Sequence, residues 1–236
     1  MGFGRSFFPL VLSLLLTVAP RLAAQSSIPL PPPSANGSAS PAPAPHRATS
    51  TPYQGDLSIF ETPGRDQKLQ IQRVMDILAI QPGKNVADIG AGSGWFTVRA
   101  AKRVDDTGTV YAVDINSNAI DYIEDRVEKE HIRNVKTIFS RPDDPKLPPD
   151  SVNAVLLLKT YHEISEPVVL LRNLRPALRS GARIGIIDRD GDGTDHGVHK
   201  QIVLREADQA GYRLLEEHDD LVKGDEMDYF LVLGAK

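Results

Sequence analysis

Cysteine is absent from the 236 residues. That excludes a disulfide framework, a thiolate nucleophile, a Cys-ligated metal and the lipid-attachment cysteine of a bacterial lipoprotein. There is also no long run of Lys and Arg, and the formal net charge is −4. A chain that lives on nucleic acid usually carries a basic stripe to neutralise phosphates, so no nucleic-acid partner is expected. No apolar stretch reaches the roughly 20 residues that span a bilayer comfortably, and no internal repeat is visible. The hydrophobic content of 41% and charged content of 25% are those of an ordinary globular protein. The length allows one or two domains.

What is present begins with Arg5, an apolar run from Phe7 to Val18, and a small-residue exit at Ala23-Ala24. A positive start, an apolar run and small residues at the exit are the parts of a secretory signal peptide. Cleavage is expected after Ala24. An uncleaved membrane anchor is the alternative, because Leu22 suits the −3 position poorly. From Ser26 to Pro52 the chain is rich in Pro, Ala and Ser, and such a segment cannot bury enough apolar surface to offset its ordering entropy. The expected organisation is therefore a signal peptide over 1–24, a disordered linker over 25–55 and a folded domain over 56–236. The mature protein would be exported, periplasmic or secreted, with no membrane span after cleavage.

Beyond residue 56 helical and strand periods alternate. Ile71, Val74, Met75 and Leu78 fall at helical spacing, and Pro82-Gly83 stops that helix. A strand from Asn85 to Ile89 runs into Gly90-Ala91-Gly92-Ser93-Gly94, followed by a helix from Trp95 to Val104. Further strands are expected at 109–114, 135–139, 152–158, 183–187, 213–217 and 229–233. Helices are expected over 118–131 with Ser117 as cap, from Pro167 to the stop at Ser180-Gly181, and over 198–210. Strands alternating with helices of this length give an α/β fold whose parallel sheet is covered on both faces.

Ligands bind such sheets at the carboxyl ends of the strands. The glycines after the first strand allow close backbone approach and positive φ. Asp88 is unusual inside a buried strand, where a carboxylate needs a partner. Either a cationic ligand supplies it, or Asp88 caps backbone amides in a tight strand-to-helix turn. Asp114 ends the second strand about twenty residues past Gly94, where an acidic side chain accepts from a ribose diol. A dinucleotide site requires Gly-x-Gly-x-x-Gly, but Trp95 stands in the third glycine's place. Its indole would crowd a pyrophosphate, and Asp88 would repel one. An NAD(P)-dependent oxidoreductase is therefore disfavoured.

VADIGAGSGWFT followed by VYAVDIN resembles the first motif, and its sequel, of class I S-adenosylmethionine-dependent methyltransferases. The similarity runs from about Arg65 to Lys236. It resembles, within them, bacterial signal-peptide-bearing predicted methyltransferases that share the Tyr-His pair. The resemblance implies a Rossmann-like, seven-stranded, mostly parallel sheet with the last strand antiparallel, and S-adenosyl-L-methionine as cofactor. It implies that Gly90, Ala91, Gly92 and Gly94 lie along the methionine part, with Asp88 near the amino-acid end. Asp114 would hold the ribose hydroxyls, with Ile115 beside it. The family's acidic residue for the adenine amine follows the third strand, where Arg141 stands and Asp143 is the substitute.

Lys159-Thr160-Tyr161-His162-Glu163 follows the fourth strand, close to where a methyl acceptor would lie. Methyl transfer is in-line displacement, and the enzyme contributes mainly alignment. A general base helps only a protonated acceptor, and histidine is the side chain best suited to that role, which makes His162 the candidate. Tyr161 and His162 are the candidate catalytic residues; the alternative is that both only cap the loop beside the cofactor. An Asn-Pro-Pro-Tyr motif for amide nitrogens is absent. After the fifth strand, Asp188, Asp190, Asp192 and Gly193 match part of an EF-hand loop, but position twelve is His199. A solvated Asp-Gly turn is the other reading, His196 and His199 are a weak pair, and no metal site is assigned. The expected function is methyl transfer to a small-molecule acceptor. A non-catalytic adenosine-binding module is the alternative, because S-adenosylmethionine is made and used in the cytoplasm.

Overall fold

The computed structural model describes residues 47–236. The expected signal peptide and the linker up to residue 46 lie outside the described residues.

Seven strands form one sheet: β1 Val86–Ile89, β2 Val110–Asp114, β3 Val135–Phe139, β4 Val152–Leu158, β5 Leu178–Asp188, β6 Tyr212–Glu217 and β7 Tyr229–Ala235. Their order is β3-β2-β1-β4-β5-β7-β6. The first five run parallel, and β7 is antiparallel to both β5 and β6. The helices are α1 Arg65–Lys68, α2 Ile71–Ile77, α3 Trp95–Val104, α4 Ser117–Lys129, α5 Pro167–Leu174, α6 Lys200–Gln209 and α7 Asp219–Val222.

Strand side chains alternate between faces, so β4 feeds two cores. Val155 and Leu157 meet Leu170, Leu171 and Leu174 of α5 and Val203 of α6. Ala154, Leu156 and Leu158 meet Val74 and Met75 of α2 and Phe96 and Val104 of α3. Burial on both faces explains why the run from Ala154 to Leu158 lacks polar alternation.

Three local expectations are corrected. Asn116 rather than Ser117 caps α4, its side chain accepting from the Asn118 amide at 3.0 Å. The helix begun at Pro167 ends at Leu174, and Leu178 to Gly181 belong to β5. Pro176 forces that break, because a proline inside a helix removes a hydrogen bond and clashes with the preceding turn. The third correction concerns residues 47–55, expected as linker. Arg47 pairs with Glu206 at 3.1 Å and donates to the carbonyls of Tyr161 (2.6 Å) and His162 (3.2 Å). Ser50 is buried, and its hydroxyl donates to the Gly193 carbonyl at 3.1 Å. These polar contacts, rather than apolar burial, hold the segment, so hydrophobic patterning does not reveal it.

Arg47→Ala leaves Glu206 and two carbonyls short of a donor. It is expected to cost about 2 kcal/mol, a fall of roughly 4–8 °C in thermal midpoint. An unchanged melting curve would show that the segment adds nothing to the fold.

Candidate functional site

Strand order reverses between β1 and β4, and a crevice is expected at their carboxyl ends. A cleft of about 970 Å³ lies there. The turn after β1 forms one wall. Gly90 has φ +74, and a Cβ on it would lie 2.3 Å from Thr160 Cγ2, so only glycine fits. The amides of Gly90 and Ala91 both donate to the Val113 carbonyl, at 2.8 and 3.1 Å. Gly90, Ala91 and Gly92 line the cleft, whereas Gly94 sits behind it as the N-cap of α3.

Asp114 is buried at the end of β2. One carboxylate oxygen accepts the Gly92 amide at 2.9 Å and the other the Asn116 amide at 2.8 Å. Each oxygen keeps a further lone pair. Burial pushes this carboxyl up, and the backbone donors hold it down. Ile115 and Phe139, both exposed, flank the same end of the cleft.

Asp88 is buried within β1, with a side-chain hydroxyl as its partner. It lines the cleft, and it accepts the Thr97 hydroxyl at 2.6 Å at the start of α3. Burial pushes its carboxyl up to about 7, Thr97 opposes the shift, and Asp114 adds to it. Arg65, not singled out from sequence, lines the cleft nearby and stacks on Trp95 at 4.3 Å. Arg99 also lies over the indole, at 4.1 Å.

The far end of the cleft is built by a 3-10 turn, Tyr161–Glu163. Such a turn has three residues per revolution, so successive side chains diverge by about a third of a circle. Tyr161 points into the core and does not line the cleft; its neighbours include Leu157 and Leu170. Burial, then the charge of Glu206, push its phenol well above the ordinary range. That removes it from the catalytic candidates.

His162 and Glu163 line the cleft. The His162 Nδ1 lies 2.8 Å from Asp188, a fully buried carboxylate that also accepts the backbone amides of His162 (3.1 Å) and Arg189 (2.9 Å). A carboxylate facing three such groups fixes the tautomer with the proton on Nδ1 and the lone pair on Nε2. Burial pushes the Glu163 carboxyl up to about 7, and His162 opposes that shift. His196 joins them from the loop after β5, its ring edge-on to that of His162 with centroids 5.7 Å apart.

Asp143 does not line the cleft. A tight bridge pairs Arg141 with Asp144, and the Asp143 carbonyl accepts from Asn173 at 2.8 Å, while Arg141 does line it. The EF-hand reading fails on direction. Asp188 turns inward to His162, Asp190 accepts the Lys200 amide, and Asp192 accepts from Thr194 within its own turn. The three carboxylates diverge.

From sequence, Asp188 has only an EF-hand position, and Glu163 and Arg65 have no role. Asp188 had a usable signal, since it ends a buried strand just as Asp88 interrupts one. Glu163 and Arg65 had none, because an acidic loop residue and a basic helix start are common on any surface.

Residues 86–181 match the family described as "Methyltransferase domain". Over 115 residues the chain is 24% identical to the ubiquinone/menaquinone biosynthesis C-methyltransferase UbiE of Vibrio campbellii, covering 48% of this chain and 44% of that one. The protein-L-isoaspartate O-methyltransferase of Aeropyrum pernix is 30% identical over 125 residues, covering 50% of this chain and 45% of that one. The matched stretch is thus less than half the length of either relative. A solved structure described as a SAM dependent methyltransferase from Aquifex aeolicus shares the fold. Its TM-score is 0.67 at 23% identity, covering 76% of this chain and 98% of that one.

Proposed function

We propose that the chain is a class I S-adenosylmethionine-dependent methyltransferase, on the match of residues 86–181 to a methyltransferase domain and the fold it shares with a solved one, and that it methylates a small molecule held at the His162 end of the cleft. The observation that carries this reading is the pair of buried carboxylates, Asp88 and Asp114, on either side of a glycine turn. They fit a cationic ligand with a vicinal diol and oppose a pyrophosphate. S-adenosyl-L-methionine supplies a methyl group on a sulfonium.

Asp114 receives the ribose hydroxyls on its free lone pairs, and Ile115 and Phe139 offer apolar surface to the adenine. Asp88 serves the ammonium end of the methionine part. At the other end His162 presents Nε2 to the acceptor and takes its proton as the nucleophile attacks, with Asp188 holding the ring. Of the two relatives, one is by name a C-methyltransferase and the other an O-methyltransferase. The acceptor is therefore argued from the His162 end alone, which suits a hydroxyl or a protonated amine.

The direct test is calorimetry with S-adenosylmethionine, S-adenosylhomocysteine and NAD, followed by an assay for S-adenosylhomocysteine release across phenols, amines and thiols. Binding of NAD in preference to the other two would overturn the cofactor reading. Tight cofactor binding with no turnover on any acceptor would favour a pure binding module.

Asp88 gives this binding a pH signature. Its carboxyl, near 7 in the free protein, is lowered by a cationic ligand, so binding releases a proton. Affinity should tighten about tenfold between about pH 6 and about pH 8 and level off above. Asp88→Asn should flatten the profile. A slope that survives the substitution would assign the proton elsewhere.

We also place the mature protein beyond the inner membrane, on the strength of the apolar run Phe7–Val18 and its small-residue exit. N-terminal sequencing of the exported protein should begin near Gln25, and a chain still starting at Met1 would point to the anchor instead.

A further inference from the structure

We propose that His162, Glu163 and His196 bind one divalent first-row transition-metal ion at the acceptor end of the cleft. One ligand atom from each lies within 4.8 Å of the others. His162 Nε2 is 3.9 Å from the Glu163 carboxylate. His196 is exposed, and no hydrogen bond to its ring is found among the described residues, so its side chain can turn toward the other two.

Three features distinguish this cluster from a chance grouping. The first is the support behind His162. Metal-ligating histidines characteristically give their second ring N–H to a carboxylate, which fixes the tautomer and makes the ligating nitrogen more basic. His162 does this with Asp188 at 2.8 Å, and that carboxylate is fully buried and anchored by two backbone amides.

The second is the anchoring of the His196 loop. The Ser50 hydroxyl accepts the His196 amide at 3.0 Å and donates to the Gly193 carbonyl at 3.1 Å. Arg47 and the Ser50 amide hold the carbonyls of the 161–162 turn from the same segment. One stretch of chain thus fixes both ligand-bearing loops and leaves the His196 ring free to turn.

The third is the donor set. Two imidazoles and one carboxylate with the remaining positions facing a cleft are the ligands of zinc and of other first-row divalent ions in open, reactive sites. Hard ions such as Ca²⁺ and Mg²⁺ would prefer oxygen alone.

This inference goes beyond the proposed methyl transfer and rests on it only for its consequence. The ion would occupy the Nε2 lone pair and so replace His162 as the base: the acceptor hydroxyl would lose its proton to water on coordination, and the ion would hold the resulting anionic oxygen. The acceptor class narrows accordingly to hydroxyl compounds that coordinate a metal.

The full chain, stripped with chelator, would be titrated with Co²⁺ and followed by visible d–d absorption, and with Zn²⁺ by equilibrium dialysis. One ion per chain is expected. His196→Ala and Glu163→Gln should each weaken it by more than about 100-fold, and Asp188→Asn by about 10–100-fold. His196 is exposed on a loop, so its variant should fold as the parent does. Absence of Co²⁺ absorption at equimolar metal would overturn the proposal, as would stoichiometric binding that His196→Ala and Glu163→Gln leave intact. Calorimetry with S-adenosylhomocysteine on the same samples keeps the two readings apart, since its binding is expected to survive in every variant. Loss of cofactor binding in the parent protein would sink the methyltransferase reading and leave the metal site standing.

Discussion

Replacing His162 with alanine is expected to lower turnover by about 10²–10⁴-fold, the usual worth of a positioned general base, with cofactor affinity nearly unchanged. The expectation follows from the geometry of the pair. Asp188 holds Nδ1 at 2.8 Å, so the lone pair of Nε2 is directed away from the core toward the cleft. The substitution should leave the local fold in place, because Asp188 still accepts the amides of residue 162 and Arg189. A thermal melt checks this. If alignment alone drives the reaction, the loss will be far smaller, because approach geometry survives the truncation. Turnover that His162→Ala leaves intact would end the general-base proposal and keep the methyltransferase one. The His196→Ala variant adds a second distinction: a base acting alone does not need His196, whereas a metal-held acceptor does.

Asp114→Ala should weaken S-adenosylmethionine binding by about 1.5–3 kcal/mol, roughly 10–150-fold, through loss of two charge-assisted hydrogen bonds to the ribose. Part of that loss is structural, because the carboxylate also accepts the Gly92 and Asn116 amides. The glycine turn and the α4 cap share this one anchor. Asp114→Asn separates the contributions: the amide keeps one acceptor oxygen but loses the charge, so an intermediate affinity is expected. Calorimetry on both variants decides. An unchanged dissociation constant in Asp114→Ala would show that the ribose lies elsewhere.

Most of the fold was legible because the signals that specify it are local. The helix over Trp95–Val104 and the strands Val135–Phe139 and Val152–Leu158 have the bounds that periodicity placed. The α5 boundary was misplaced, although Pro176 marks it. Leu171, Leu174 and Leu178 share helical spacing, yet Leu178 enters β5 beyond Pro176, and the pattern alone does not register the turn between them. At the site, the glycine turn, Asp88 and Asp114 could be found from sequence because each violates a local rule at a strand end.

The alternation of strands and helices, the close backbone approach at Gly90 and the misplaced carboxylates at Asp88 and Asp114 were properties of the sequence by itself, since short-range sterics and burial dictate them. The direction of each side chain in the Tyr161–Glu163 turn was decided only by the tertiary structure. So were the pairing of His162 with Asp188, the approach of His196, and the inclusion of residues 47–55 in the domain. These depend on contacts between segments 26 to 159 residues apart. Such contacts are made by hydrogen bonds and charges that carry no periodicity along the chain, and they exist only once the sheet has brought the ends of β4 and β5 side by side.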